Sequence, residues 1–220
     1  MQTFQFGETT TGLPIMAYNF GHSGAPILIL GGVHGNEPEG VVACLGLIKT
    51  FEKAYSLSLN LTIVPEFNRD GVLALKRVNA RGVDLNRNLP TKDWTKNVKE
   101  EKYYPGERPN SEPENQALVA WVDSHKPKFV ISMHSWHPCL NINGACRGEA
   151  EVIRSHTGYE IKEEIGYPTP GCLGTYAGLE RDIPTITYEV ERGLDSTSIL
   201  KTHVPALIEA LKTLEQRFKK

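Results

Sequence analysis

The chain has 220 residues, with 24 Lys+Arg against 26 Asp+Glu and a formal net charge of −2. That length suits one domain with a sizeable core, and the near balance of charge argues against nucleic acid or an anionic membrane as a partner. No apolar run approaches the roughly 18 residues of a membrane helix. The opening MQTFQFGETTTG also lacks the basic-then-apolar order of a signal peptide, so a cytoplasmic protein is expected.

LPIMAYNF and APILIL read as strands separated by the turn GHSG. APILIL runs into GGVHGNEPEG, residues 31–40. EPEGVVACLGLIKTFEKA then has helical periodicity, with Pro38 suited to its first turn. LSLNLTIVPEF is the next strand. From Asn68 to about Asn110 the chain is polar, rich in Arg, Asn and Pro, and without periodicity. A stretch that long inside a compact domain is usually functional. SEPENQALVAWVDSHK reads as a helix, with Ser111 and Glu114 at capping-box spacing. KFVISMHS is a strand, and EAEVIRSHTGYEIKEEIG is helical in part, weakened at Gly158. IPTITYEVE is a strand. STSILKTHVPALIEALKTLEQRFKK closes the chain as a helix whose early turns Pro205 should disturb.

Strand–helix alternation predicts a single α/β domain with a mixed, mostly parallel central sheet flanked by helices. In such sheets the ligand site lies beyond the carboxyl ends of the strands. APILIL runs into GGVHGNE, KFVISMH ends at His134 and IPTITYEVE ends around Glu189 and Glu191, so one rim of the sheet should gather them if these strands run parallel. The four cysteines, Cys44, Cys139, Cys146 and Cys172, contain no CxxC pair, and free thiols are expected.

His34 and Glu37 supply one nitrogen and one carboxylate, on a backbone that Gly31, Gly32 and Gly35 allow to turn sharply. Two His plus one carboxylate, with a fourth position open to water, is a catalytic zinc set. Taken alone, such a pair also fits a turn residue followed by a helix N-terminus. His134 ends a strand and is favoured over the following His137 as third ligand, because strand ends position ligands more rigidly than loops.

RVNARGVDLNRN, residues 77–88, packs three arginines and three asparagines into twelve residues. Arg87 with Asn86 could grip a carboxylate in a two-bond fork, and Arg77 could face a developing oxyanion. In TITYEVE, alternation puts Glu189 and Glu191 on one strand face. Either could be a desolvated general base or one half of an ion pair at the sheet edge.

HxxE, then RxN followed by GVDLNRN, then a strand-ending His, then TxE, in that order over residues 30–191, resembles the M14 zinc carboxypeptidase family. HGNEPEG, VNARGVDLNRNLP and YPTPGCLGTY are most similar to the branch that cuts the bond between γ-D-glutamate and meso-diaminopimelate in murein peptides. The resemblance implies a zinc carboxypeptidase-like fold and one zinc ion held by His34, Glu37 and His134. It implies Asn86 and Arg87 on the substrate's terminal carboxylate, Arg77 on the scissile carbonyl, and Glu189 rather than Glu191 as general base toward a zinc-bound water. Tyr167 falls where the digestive members keep a mobile tyrosine. The family's usual NPDG is NRDG here, with Arg69 in place of the proline, which implies a local change only.

A small peptide, a murein tripeptide or longer, is thus the expected substrate. Its diaminopimelate head needs charges of both signs, for which Arg147, Glu149, Glu180 and Arg181 are candidates. The competing enzyme reading is an N-acyl amino acid deacylase of the aspartoacylase or succinylglutamate desuccinylase type. Those relatives share HGNE and DLNR but usually carry a further C-terminal domain. A non-catalytic peptide binder would be signalled by loss of a ligand or of the TxE glutamate, and neither is lost.

Overall fold

APILIL and KFVISMHS are almost continuously apolar because both faces of their strands are covered. In the computed structural model, which describes residues 1–219, they are β3 (Ala25–Leu30) and β5 (Phe129–Trp136), neighbours at the centre of an eight-stranded sheet. With β1 (Gln2–Glu8), β2 (Pro14–Phe20), β4 (Leu59–Val64), β6 (Cys139–Asn143), β7 (Glu160–Lys162) and β8 (Thr185–Glu191), the order is β1-β2-β4-β3-β5-β8-β6-β7. β4, β3, β5 and β8 run parallel; β2 is antiparallel to both β1 and β4, and β6 is antiparallel to β8 but parallel to β7. The carboxyl ends of β3, β5 and β8 therefore share one rim.

Three helices cover one face: α1 (Pro38–Lys53), α4 (Arg147–Thr157) and α5 (Ser196–Phe218). They bury Leu47, Phe51, Ile153, Leu207, Leu211 and Leu214 against Ile27, Ile29, Ile131 and Tyr188. Each such apolar side chain contributes about 1.5–3 kcal/mol relative to exposure. α3 (Pro113–His125) covers the other face, where Leu118, Trp121 and Val122 meet Leu28, Leu30, Val130 and Phe67.

The polar stretch after β4 folds around buried asparagines rather than an apolar stripe. α2 (Arg69–Ala74) is capped by Asn68, whose Oδ1 accepts from Gly71 N at 3.0 Å. Arg69 Nη1 donates to the Pro14 carbonyl at 3.0 Å, tying α2 to β2. Asn79 Oδ1 accepts from Arg81 N and Val83 N, both at 3.0 Å. Asn88 Nδ2 donates to Pro105 O, Arg108 O and Ser111 Oγ.

Three expectations change. Ser111 does not cap α3: the N-cap is Glu112, Pro113 opens the helix, and the Ser111 hydroxyl donates instead to Glu112 Oε1 at 2.7 Å. Pro205 does not interrupt α5, which starts at an Asp195 cap and runs 23 residues. Burial of Val204, Ala206 and Leu207 around the proline outweighs its lost hydrogen bond. β1, β6 and β7 had no clear pattern, because edge and short strands lack a full apolar face. The four cysteines are free thiols, and among the described residues no helix is long and apolar enough to cross a membrane.

Candidate active site

The turn after β3 is as tight as its glycines suggest. Gly32 has φ +62°, and a Cβ on Gly35 would lie 1.9 Å from the Gly71 carbonyl carbon, so only glycine lets this turn press against α2. Glu37 N closes it on His34 O at 3.2 Å. Both side chains are thereby swung over the end of β5, where His134 is buried.

His34 Nδ1 lies 3.0 Å from Glu37 Oε1, His134 Nδ1 lies 3.0 Å from Glu37 Oε2, and the two ring nitrogens are 3.1 Å apart. The outward nitrogens are occupied. His34 Nε2 meets Asp84 Oδ1 at 3.1 Å, and His134 Nε2 meets Ser132 Oγ at 3.0 Å. Both His34 nitrogens face carboxylates; with a cation among the donors, the ring would keep its proton on Nε2 toward Asp84 and turn the Nδ1 lone pair inward. Three lone-pair donors then converge on one buried point, with ligand atoms all within 4.8 Å of one another. Burial alone would lower the pKa of His34, but Glu37 and Asp84 leave it raised. Burial likewise would raise that of Glu37, yet His34 and His134 hold it well below the carboxylate range. A divalent cation resolves the same crowding, and two nitrogens with one carboxylate suit zinc.

Arg77 donates from Nε to Asp84 Oδ2 at 2.9 Å, with Nη1 3.6 Å from Glu37 Oε1. Glu189 pairs in register with His134 across β5 and β8, while Glu191 pairs with Trp136 beyond it and is exposed. Glu189 Oε2 is buried without a hydrogen-bond partner. Burial pushes this carboxyl up to about 7, with His134 pulling it back and Glu37 adding to the rise.

Asn86 and Arg87 lie on a short 3-10 turn, Leu85–Arg87, started by Asp84 Oδ1 accepting from Asn86 N at 2.9 Å. Asn86 Oδ1 accepts from Leu173 N at 2.9 Å, leaving its amide hydrogens to face the cavity. Arg87 is buried, bonds to Asn86 O at 2.6 Å, and meets no carboxylate in an ion pair among the described residues. The Tyr103 ring lies beneath both guanidiniums, 5.2 Å from Arg77 and 5.5 Å from Arg87. Tyr167 is half exposed at the cavity mouth. One cavity is lined by His34, Glu37, Arg77, Asn86, Arg87, Tyr167 and Glu189 together. His137 is exposed and outside the donor cluster.

Residues 1–145 match the family model described as zinc carboxypeptidase. The chain belongs to the zinc carboxypeptidase family. Murein peptide amidase A of Vibrio campbellii is 29% identical over 92% of this chain and 88% of its own. The protein of the same name from Escherichia coli strain K12 is 30% identical over 79% and 75% respectively. Among solved structures, murein-tripeptide amidase MpaA from Escherichia coli O157 superposes with a TM-score of 0.80 at 26% identity, covering 96% of this chain and 92% of that one. As a zinc carboxypeptidase the chain is a zinc hydrolase, and its eight-stranded sheet is the carboxypeptidase fold.

The lining of this zinc carboxypeptidase's cavity corrects one expectation. Beyond the metal donors, Arg77, Arg87 and Glu189 it is uncharged, with Asn141, Ile165, Thr169, Cys172 and Thr187 among its walls. Arg147 pairs with Glu163 at 2.7 Å, Glu149 with Arg217 at 3.3 Å, Glu180 accepts from Lys92 N at 2.7 Å, and Arg181 lies 3.6 Å over the Tyr176 ring. All four are spent on other partners and none lines the cavity. Conversely, Asp84, Ser132, Tyr103 and Arg192 went unnoticed. Asp84 was detectable as the one carboxylate inside GVDLNRN, and Ser132 as the residue two before His134 on the same strand face. Tyr103 and Arg192 carry no local signal.

Proposed function

We propose that residues 1–220 form one catalytic domain that hydrolyses the γ-D-glutamyl–meso-diaminopimelate bond of murein peptides in the cytoplasm. The peptides it takes are the tripeptide or longer ones. The observation that carries this reading is Arg87: a buried guanidinium without an anion partner, beside the metal donors. An unpaired buried charge is costly, so a substrate carboxylate is its natural counter-ion. The names of the relatives supply the murein peptide as the source of that carboxylate.

His34, Glu37 and His134 hold the metal, with Asp84 and Ser132 fixing the two rings from behind. Bound there, zinc supplies Lewis acidity toward a carbonyl and acidifies a water toward a pKa of about 7. Glu189 accepts the attacking water's proton and delivers it to the leaving nitrogen, so the C–N bond breaks to an acid and a free amine. Arg77, anchored on Asp84, turns its remaining donors toward the oxyanion. Asn86 and Arg87 clamp the leaving residue's carboxylate, and Tyr167 closes over it from the mouth.

The test is a panel. The zinc-loaded protein is given L-alanyl-γ-D-glutamyl-meso-diaminopimelate, ordinary C-terminal peptides and N-acyl amino acids, and released amine is measured. Release of diaminopimelate above the others is expected. Release from N-succinyl or N-acetyl amino acids alone would hand the site to the deacylase chemistry.

A further inference from the structure

A second cleft, whose lining includes neither Asn86 nor Arg87, opens beside the first cavity. It has a volume of about 510 Å³, and its charged walls are Arg77, Arg192 and Lys102, whose Nζ also pairs with Glu100 at 2.8 Å, opposed by the one acid Glu191. Trp136 and Arg77 belong to both cavities, so the two meet there, and Arg192 of the second cleft reaches the metal donor Glu37. If Asn86 and Arg87 hold the leaving residue, this cleft receives the acyl side of the scissile bond.

Arg192 is built into that cleft rather than waving from the surface. Its Nε and Nη2 donate to Ser135 O at 3.2 and 2.8 Å, and Nη2 also reaches Glu37 Oε1 at 3.2 Å. The turn that carries it is clamped by buried Glu39, which accepts from Gly193 N at 2.6 Å and from Ser135 Oγ at 2.5 Å. Nη1 has no acceptor among the described residues, and the side chain is 45% exposed. A fixed guanidinium with free donors, in direct contact with the metal donor Glu37, is a carboxylate receptor.

An ordinary α-peptide offers this cleft no anion near the scissile carbonyl. A γ-glutamyl bond does, because the α-carboxylate stays free at the end of a short carbon tether from the carbonyl. We propose that Arg192, assisted by Lys102 across the cleft, binds this free carboxylate and so selects γ-glutamyl over α-linked acyl groups. The assignment rests on the γ-glutamyl peptidase reading above and names the residue that enforces it.

The test compares L-alanyl-γ-D-glutamyl-meso-diaminopimelate with its isoglutaminyl analogue, in which only the α-carboxylate is turned into an amide. kcat/KM is measured for the wild type, Arg192→Gln, Arg192→Lys and Lys102→Gln, with zinc content and thermal melting recorded for each. Calorimetry gives the affinities of both peptides for Glu189→Gln and for Glu189→Gln/Arg192→Gln. The wild type should prefer the carboxylate by about 10- to 100-fold, the scale of a lost charged hydrogen bond. Arg192→Gln should bring that ratio to within about threefold in both rate and affinity, with Arg192→Lys and Lys102→Gln in between. If Arg192→Gln melts early, the lysine variant and Lys102→Gln decide the matter by the same ratio. A wild-type ratio near one, or a ratio kept in Arg192→Gln, overturns the assignment and leaves the peptidase reading standing. Equal slowing of both peptides with loss of zinc also overturns it, since Arg192 would then only orient Glu37. Cleavage of neither peptide by the wild type removes the peptidase reading, and this assignment with it.

Discussion

The site is assembled from two regions that reach their precision by different means. His34, Glu37, His134 and Glu189 stand on or just past the ends of β3, β5 and β8, where the parallel ladder sets their spacing. Asn86, Arg87 and Arg77 stand on the irregular stretch from Asn68 to Asn110, where buried Asn79 and Asn88 satisfy loop backbone groups that no ladder reaches. A strand rim shares its stability with the whole sheet. The loop depends on a few amides, each supplying a donor and an acceptor that no other side chain of that size offers. Metal binding and carboxylate binding should therefore respond separately to mutation, except at Asp84, which touches both His34 and Arg77.

The sharpest break is at the rim. Glu189→Gln is expected to keep its zinc and its fold while losing about 10²–10⁴-fold in kcat. Glu191→Gln, beyond the donor cluster, should do far less. Steady-state rates with zinc content by atomic absorption check this, and reversal of the two would mean a different register between β5 and β8. Next comes metal retention. His134→Ala should lose most bound zinc, His137→Ala should retain it, and Asp84→Asn should weaken affinity by about 10–100-fold, the usual cost of an outer partner to a ligating histidine. Competition against a zinc-binding dye ranks the three. If His137→Ala releases the metal, the third ligand is wrong.

The loop half gives smaller effects. Asn88→Ala strips the bonds to Pro105, Arg108 and Ser111 and should destabilise by about 1–3 kcal/mol. The rise should appear in KM, with zinc affinity kept. Urea unfolding beside steady-state kinetics tests it, and a zinc loss matching the KM change would show that the two regions are not separable. Smallest of all is the exchange of diaminopimelate for lysine. With Asn141, Thr169 and Thr187 lining the cavity and Arg147, Glu149, Glu180 and Arg181 outside it, kcat/KM should fall by less than about tenfold, below the range for an unpaired buried charge. A larger drop would reveal a charged group reaching the far end.

Much of the rim was legible from the chain alone. A His and a Glu three apart among glycines can converge only if the backbone turns there, and turning is local. The apolar runs of β3 and β5 announce buried parallel strands, whose carboxyl ends are expected to share an edge. Asn86 and Arg87 were visible as amide and guanidinium crowded where no helix or strand would form. The choice between Glu189 and Glu191 was different in kind. Strand alternation puts both on one face, and short of the family resemblance only the pairing of Glu189 with His134 separates a carboxyl raised to about 7 from an exposed one. Arg147, Glu149, Glu180 and Arg181 looked like a charged pocket because composition cannot say which charges already have partners. Arg192 lay one residue beyond the strand that had been read, and its meaning depends on Ser135 and Glu37, which are 57 and 155 residues away. Local chemistry is written in the order of the residues. Which distant groups share one dielectric pocket, and which of them are left without a counter-ion, is decided when the sheet and its loops close around them.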